Sequence, residues 1–156
     1  MIHVDIPGYR QLQLAHLVMD YNGTLAVDGN LEPGVREVLE ALSAQLTIHV
    51  ITADTFGLAA GQLKDAPVQL SLLPPGHQDE AKRDYVHRLG RAGTVAVGNG
   101  RNDRLMLQTA ELGIAVVLRE GAAGETLAAA DIVCMGILPA LELLGHPLRL
   151  TATLRS

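Results

Sequence analysis

Short apolar segments, several of them nearly continuous, alternate with helical patterns along the chain, and this alternation constrains the fold more than any other feature. The apolar segments are residues 14–19, 46–52, 68–72, 94–97, 114–118 and 132–135. A strand buried on one face alternates apolar and polar residues, whereas a strand buried on both faces is apolar throughout. The pattern therefore predicts an α/β fold with a central, mostly parallel sheet covered by helices on both faces.

Helical periodicity fills the gaps between these strands. The predicted helices cover residues 33–45, 56–64, 78–89, 103–111, 125–130 and 138–144. Pro33 is typical of a first helical turn, and Val35, Leu39 and Leu42 follow it at helical spacing. Residues 2–14 form a predicted N-terminal hairpin around Pro7–Gly8. Because no linker or repeat interrupts the 156 residues, we expect one Rossmann-like domain over residues 1–156.

Composition excludes several classes of protein. A hydrophobic fraction of 48% with a charged fraction of 19% excludes a disordered chain. The 17 acidic residues outnumber the 12 Lys and Arg residues, so we expect no nucleic-acid partner. Cys134 is the only cysteine, which excludes an internal disulfide. Since no apolar run approaches the ~20 residues of a membrane span and no leader pattern is evident, we expect a cytoplasmic protein without a membrane partner.

Three polar, glycine-bearing loops follow predicted strands, at residues 20–24, 52–54 and 98–103. In an open parallel sheet, ligands bind beyond the carboxyl ends of the strands, where these loops would meet. Each loop alone has an ordinary interpretation, because Asn22–Gly23 and Asn99–Gly100 are common turn dipeptides. Their occurrence together at strand ends favours a site for an anion such as phosphate.

These loops resemble the motifs of the haloacid dehalogenase superfamily of phosphohydrolases and ATPase phosphorylation domains. The segment Asp20-Tyr-Asn-Gly-Thr24 after an apolar strand is similar to the first motif. Thr52 matches the second motif, Lys82 the third and residues 98–103 the fourth. Residues 111–117 and 129–133 resemble the end of the phosphorylation domain of P-type ATPases. The resemblance covers residues 14–144 and implies a capless, soluble, P-type-ATPase-like branch of the superfamily.

The resemblance implies a role for each matching residue. Asp20 would attack phosphorus and form an aspartyl-phosphate. Thr52 would hydrogen-bond the phosphoryl group, and Lys82 would neutralise the charge of Asp20 and of the phosphoryl oxygens. The only other lysine, Lys64, is expected to be a solvated surface residue.

The resemblance also implies a Mg²⁺ cofactor and a phosphate cradle. Mg²⁺ prefers oxygen ligands and keeps several waters, so few protein groups are needed. The expected metal-binding residues are Asp20, Asn22 through its backbone carbonyl, Asn99 and Asp103. The expected phosphate-binding residues are Gly23, Thr24, Ala53 and Asn102, and Asn102 is also a candidate for ordering the water shell of the metal.

Two residues depart from the motifs, and both departures weaken the expected chemistry. Asn22 stands where most phosphatases of the superfamily carry an acid that protonates the leaving group and activates water. Asn99 stands where the fourth motif normally carries a metal-binding Asp, and an amide is a weaker, neutral ligand. We therefore expect slow turnover and weak binding of Mg²⁺.

Spacing leaves no room for a lid over the site. Eight residues separate Thr24 from Pro33, and the 29 residues between Thr52 and Lys82 are needed for a strand and its flanking helices. An open site cannot exclude water by closing over a small substrate. It suits a large substrate, or a homo-oligomer in which a neighbouring subunit covers the site.

The sequence thus predicts a Mg²⁺-dependent phosphohydrolase acting through Asp20 on a phosphorylated substrate of unknown identity. One alternative is a catalytically silent domain that binds a phosphorylated ligand or a protein partner. Another is a phosphorylation domain that works only within an assembly. Outside these motifs, Cys134 and His49 are expected to be packed residues, and Asp54 is either a helix cap or part of the phosphate loop.

Overall fold

The computed structural model describes residues 1–156, and a six-stranded parallel sheet lies at its centre. The ten strands of the chain are β1 (Ile2–Ile6), β2 (Arg10–Leu14), β3 (His16–Met19), β4 (Ala26–Val27), β5 (Asn30–Leu31), β6 (Thr47–Thr52), β7 (Val68–Leu72), β8 (Thr94–Gly98), β9 (Leu112–Val116) and β10 (Ile132–Cys134). The central sheet has the order β10-β9-β8-β3-β6-β7, and every neighbouring pair in it is parallel. β3 therefore lies in the middle of the sheet, between β8 and β6.

Seven α-helices accompany the sheet. They are α1 (Val35–Ser43), α2 (Ala59–Gln62), α3 (Gln78–Leu89), α4 (Arg104–Thr109), α5 (Gly124–Ala129), α6 (Ile137–Gly145) and α7 (Pro147–Leu154). The apolar faces of α1 and α6 pack on one face of the sheet, and those of α3 and α4 pack on the other. Alternate residues of β3 belong to the two cores, with Leu17 and Met19 in the first and Val18 in the second. The predicted parallel sheet with helices on both faces is confirmed.

The predicted N-terminal hairpin is also present, as the antiparallel pair β1–β2. It packs against α7, a helix that the sequence interpretation missed. Pro147 at the start of α7 and buried Leu150 are the signals that were available for it. No helix combines the length and apolar character needed to cross a bilayer.

Backbone conformation explains where predicted and observed helix starts differ. The first helix was expected to begin at Pro33, but Gly34 has a φ of 85°, which no helical residue adopts, so α1 begins at Val35. The second helix was expected over residues 56–64 and is only four residues long. Asp54 and Gly57 have positive φ values of 52° and 68°, so the chain turns before α2 can start.

The fifth strand of the predicted sheet lies two residues earlier than expected, at Leu112–Val116 instead of residues 114–118. Its register is set by the neighbouring strand, because Val95 pairs with Leu112 and Gly98 with Ala115. Val117 and Leu118 consequently belong to a loop at the carboxyl edge of the sheet.

Only small elements occupy the two positions where a cap could be inserted. The short antiparallel pair β4–β5 lies between Thr24 and α1, and α2 and β7 lie between Thr52 and α3. No further layer of structure covers the carboxyl edge of β3. The expected capless arrangement is therefore confirmed.

Candidate active site

A pocket of about 180 Å³ opens at the carboxyl edge of the central strands. Asp20 directly follows β3, and its amide donates a hydrogen bond to the Val97 carbonyl of β8, so the sheet itself holds its backbone. Asp20 is 8% exposed as a residue and lines the pocket. The residues that line the pocket are Asp20, Asn22, Thr52, Ala53, Thr55, Gln78, Asn99, Gly100, Asn102 and Glu120.

Lys82 lies beside Asp20 in a buried ion triad. Its Nζ donates to Asp20 Oδ1 at 2.7 Å and to Asp103 Oδ1 at 2.6 Å. Lys82 and Asp103 are both 0% exposed. Removing three charges from water is costly unless each is paired, and here one ammonium serves two carboxylates. The triad fixes the Asp20 carboxylate in one orientation, with Oδ1 on Lys82 and Oδ2 3.4 Å from Thr24 Oγ1.

Asp103 also shapes the loop after β8. Its Oδ2 accepts hydrogen bonds from the amides of Asn99, at 3.0 Å, and Gly100, at 2.9 Å. Gly98 makes this possible, because a Cβ on that residue would lie 2.6 Å from the Asp103 carboxyl group. Both oxygens of Asp103 are thus occupied by Lys82 and the loop, so Asp103 acts here as the residue that positions the triad.

The triad perturbs the protonation of its members. Burial raises the pKa of Asp20 to about 6, and the nearby Asp103 carboxylate adds to the rise, whereas Lys82 opposes it. Burial alone would lower the pKa of Lys82, but the Asp103 and Asp20 carboxylates outweigh burial and raise it. Lys82 is therefore a permanent cation, next to a carboxylate that is ionised at neutral pH.

Two uncharged side chains, those of Thr24 and Asn99, lie near the Asp20 carboxylate. Thr24 Oγ1 lies 3.2 Å from Asn99 Oδ1 and 3.4 Å from Asp20 Oδ2. Asn99 Nδ2 donates to the Gly121 carbonyl at 3.0 Å. Asn22 Oδ1 is buried and has no hydrogen-bond partner. No three His, Cys, Asp or Glu side chains converge as a metal-binding group.

Thr52 ends β6 and lines the pocket with its neighbour Ala53. Thr52 Oγ1 accepts the Asp54 amide at 2.9 Å, which leaves its hydroxyl proton free to donate into the pocket. The Asp54 carboxylate accepts the amides of Leu58 and Ala59, both at 3.0 Å. Asp54 is therefore a cap of α2, which decides between its two expected roles.

Two predicted phosphate-binding residues are turned away from the pocket. The Gly23 amide donates to the Ala26 carbonyl and the Thr24 amide to the Tyr21 carbonyl, so the turn itself uses both groups. The arrangement thus gives no support to a backbone phosphate contact from Gly23 or Thr24. The same turn leaves the Asn22 carbonyl without an amide donor. Asn102 does line the pocket, where its Nδ2 donates to Gln78 Oε1 at 2.8 Å.

Three pocket residues, Thr55, Gln78 and Glu120, were absent from the sequence interpretation. Glu120 lies in the loop after β9, two residues beyond Leu118, where the fifth strand was expected to end. Applying the strand-end rule to residues after Val116 would have drawn attention to it. Gln78, at the start of α3, carries no motif signal.

Sequence comparisons connect the chain to archaeal and plant proteins, although no family model matches it. It is 49% identical over 61 residues to the uncharacterized protein MJ0073 of Methanocaldococcus jannaschii, spanning 39% of this chain and 66% of that protein. It is 41% identical over 39 residues to MJ0072 of the same organism, spanning 25% of this chain and 89% of MJ0072. A copper-transporting ATPase of Oryza sativa subsp. japonica, HMA5, is 34% identical over 116 residues, spanning 72% of this chain but only 11% of the ATPase.

Solved structures resemble the whole fold. A 3-deoxy-D-manno-octulosonate 8-phosphate phosphatase from Moraxella catarrhalis, solved with magnesium, phosphate and KDO, has a TM-score of 0.70 at 16% identity, covering 84% of this chain and 85% of that one. A phospho-aspartyl intermediate analogue of phosphoserine phosphatase has a TM-score of 0.64 at 17% identity, covering 86% and 99% of the two chains. The chain therefore has the haloacid dehalogenase fold in a capless form, and it belongs to one sequence family with MJ0072.

Proposed function

We propose that this chain is a Mg²⁺-dependent phosphohydrolase that acts through an aspartyl-phosphate on Asp20 and turns over slowly. The observation that carries the proposal is the buried triad, in which Lys82 holds one oxygen of Asp20, a residue that lines a polar pocket. A carboxylate held in this way is a fixed nucleophile beside a permanent positive charge. Positive charge at this place stabilises the oxygens of a transferring phosphoryl group.

The chain's own residues can perform both halves of the reaction. Asp20 Oδ2 would attack phosphorus, the bond from phosphorus to the leaving oxygen would break, and the leaving oxygen would take a proton from water. A second water would then attack the aspartyl-phosphate, releasing inorganic phosphate and regenerating the Asp20 carboxylate. The Thr52 hydroxyl and the Lys82 ammonium would bind phosphoryl oxygens throughout.

The pocket suits Mg²⁺ as the cofactor. The buried Asn22 Oδ1 lacks a partner, the Asn22 carbonyl lacks an amide donor, and Asp20 Oδ2 has only a long 3.4 Å contact to Thr24. These are all oxygen atoms, which a hard cation prefers. Asp20, the Asn22 carbonyl and Asn99 would hold the ion, with Asp103 and Asn102 around them. When bound, Mg²⁺ would screen the negative charge of the phosphoryl group.

The amide of Asn22, in place of an acid, also favours the second candidate, a silent domain that binds a phosphorylated ligand. An amide can donate to a phosphate oxygen, but it cannot supply or remove a proton. In the first candidate Asp20 is phosphorylated and the aspartyl-phosphate is then hydrolysed, whereas in the second neither step occurs. Measuring turnover of a phosphorylated substrate therefore distinguishes them.

The test is hydrolysis of para-nitrophenyl phosphate with and without Mg²⁺, in the parent protein and in Asp20→Asn. We expect slow, Mg²⁺-dependent release of phosphate that Asp20→Asn abolishes. Asp5→Asn, at an exposed residue of the N-terminal hairpin, is the control and should leave the rate unchanged. A rate in Asp20→Asn equal to that of the parent would remove Asp20 from the mechanism.

A second experiment tests why turnover is slow. Asn22→Asp restores an acid beside the phosphoryl group, and acid–base catalysis contributes roughly 10²–10⁴-fold in enzymes. We expect the turnover number to rise at least about tenfold, a cautious fraction of that range. Asn30→Asp, on exposed β5, should have no effect. A folded Asn22→Asp variant without any gain would favour the silent, ligand-binding domain.

A further inference from the structure

The loop after β9 brings a carboxylate, that of Glu120, to the pocket from a place that none of the motifs covers. If Gly23 carried a Cβ, that atom would lie only 2.8 Å from Glu120 Oε2. The Glu120 carboxylate therefore lies next to the turn that follows Asp20. The Asn99 side chain approaches the same point above Gly23. Glu120 and Asn99 are therefore neighbours on the side of the pocket away from Lys82.

Asn99 holds this loop in place through two hydrogen bonds. Its side-chain Nδ2 donates to the Gly121 carbonyl at 3.0 Å, and its backbone carbonyl accepts the Ala123 amide at 2.9 Å. A carboxylate at position 99 could not make the first bond, because it has no proton to donate. The Asn99 amide thus lacks the negative charge of an aspartate, but it holds the loop next to Glu120 by a hydrogen bond.

Glu120 itself is not committed to any other partner. It is exposed, and no hydrogen bond or ion pair to its carboxylate is present. The nearby acid Glu125, by contrast, pairs with Arg101 and Arg104. The Glu120 side chain can therefore turn further into the pocket without breaking a contact.

From this arrangement we infer that Glu120 binds the Mg²⁺ ion and supplies the negative charge that Asn99 lacks. This inference rests on the proposed function only for the identity of the cation. The oxygen atoms of the pocket provide one charged ligand side chain, Asp20, because both oxygens of Asp103 are engaged. Glu120 raises the number of charged ligand side chains to two. The number of charged ligands is one determinant of how tightly a site binds a divalent cation.

The test is calorimetric titration of the metal-free protein with magnesium chloride, comparing the parent with Glu120→Gln. We expect Glu120→Gln to weaken binding at least about tenfold, the lower end of what loss of a supporting group costs a metal site. Glu40→Gln is the matched control, since Glu40 is an exposed glutamate of α1 without an ion pair and the change in net charge is the same. Glu40→Gln should bind Mg²⁺ within about twofold of the parent, since surface charges remote from a site are screened.

A rescue experiment makes the test sharper. If Glu120 replaces the acid missing at position 99, adding Asn99→Asp to Glu120→Gln should restore Mg²⁺ affinity to about the parent value. Because Glu120 makes no contact that stabilises the fold, thermal unfolding of Glu120→Gln should match that of the parent. Equal Mg²⁺ affinity in the parent and Glu120→Gln would overturn the inference, and so would failure of the parent to bind Mg²⁺.

The outcome is separable from that of the proposed function. Hydrolysis by the parent together with unchanged Mg²⁺ binding in Glu120→Gln would leave the phosphohydrolase standing and remove Glu120. Glu120-dependent Mg²⁺ binding without any hydrolysis would keep this inference and refute the phosphohydrolase.

Discussion

Helix α3 makes two polar contacts with the sheet, three residues apart on one face of the helix, and they differ in kind. Lys82 reaches the carboxyl edge of β3 and joins two carboxylates in an ion triad. Tyr85 reaches the middle of β6, where its hydroxyl lies 2.9 Å from His49 Nδ1, and His49 Nε2 lies 3.2 Å from His16 Nδ1. The first contact is an ion triad, and the second joins a tyrosine hydroxyl to two imidazole rings.

The position of each contact explains the difference. Within the sheet, burial and the neighbouring His16 lower the pKa of His49 to about 4, so the imidazole is neutral at pH 7. At the strand ends, Lys82, Asp20 and Asp103 stay charged although burial disfavours their charged forms. This desolvation costs free energy, and a contact with a purely structural role would not require it. A charged ligand that binds next to the triad offsets this cost through favourable electrostatic interactions. The pocket opens at this end of the strands.

The largest expected effect is on the charged contact. Lys82→Met leaves two carboxylates without their cation, and breaking a buried pair costs about 3–5 kcal/mol of the free energy of unfolding. Urea denaturation at pH 7 measures it, with Lys64→Met as the matched control because Lys64 is exposed and is the only other lysine. Lys64→Met should change the free energy of unfolding by less than about 0.5 kcal/mol. Equal stability of the two variants would show that the triad contributes nothing to the fold.

A smaller effect is expected from acid on the neutral contact. His49 binds a proton near pH 6.5 in the unfolded chain but only near pH 4 in the folded protein. Between these values the unfolded state binds more protons, so the His49 contribution is intact above pH 6.5 and is lost as the pH falls toward 4. The loss amounts to as much as about 3 kcal/mol at 1.36 kcal/mol per pKa unit.

Asp20 has the opposite effect on stability over part of this pH range. Its pKa is raised to about 6 in the folded protein, so the folded state binds the proton first and is stabilised as the pH falls. The measurement is therefore the difference in unfolding free energy between the parent and His49→Gln, at pH 7 and at pH 5. The Asp20 contribution cancels in this difference. We expect the advantage of the parent over His49→Gln to shrink at pH 5, and an advantage that stays constant would refute a neutral, proton-excluding His49.

The smallest expected effect is that of Tyr85→Phe. It removes one hydroxyl from the His16–His49–Tyr85 chain while keeping the ring, so the cost should be about 0.5–1.5 kcal/mol. Urea denaturation measures the cost, and phosphatase activity should stay at the parent level. A large loss of activity in Tyr85→Phe would mean that the two contacts of α3 are not independent.

Much of this fold could be predicted because most core strands are buried on both faces. β6 and β8 are buried nearly throughout, and α3 lies at residues 78–89 as its periodicity indicated. The errors arose where backbone geometry overrides residue type. The positive φ of Gly34 and the turn at Asp54 shortened two helices, and pairing with β8 moved the fifth strand by two residues.

For the candidate site, the sequence brought together Asp20, Lys82 and Asp103 from three separate motifs, and the structure has them in contact. Their catalytic roles stay predictions. Glu120 belongs to none of these motifs, and only its position in the loop after β9 pointed to it. Its closeness to Asn99 and Gly23 is seen only in the folded structure.

The hydrogen bonds at Asn22–Gly23 and Asn99–Gly100 also control spontaneous deamidation of the two asparagines. Spontaneous conversion of Asn to Asp begins when the amide nitrogen of the following residue attacks the side-chain amide carbon. In the folded protein the Gly23 nitrogen is bound to the Ala26 carbonyl, and the Gly100 nitrogen to the Asp103 carboxylate. Both steps are therefore protected while the chain is folded. A stored sample that unfolds transiently loses this protection and acquires an aspartate at position 22 or 99, with the chemistry that follows from it.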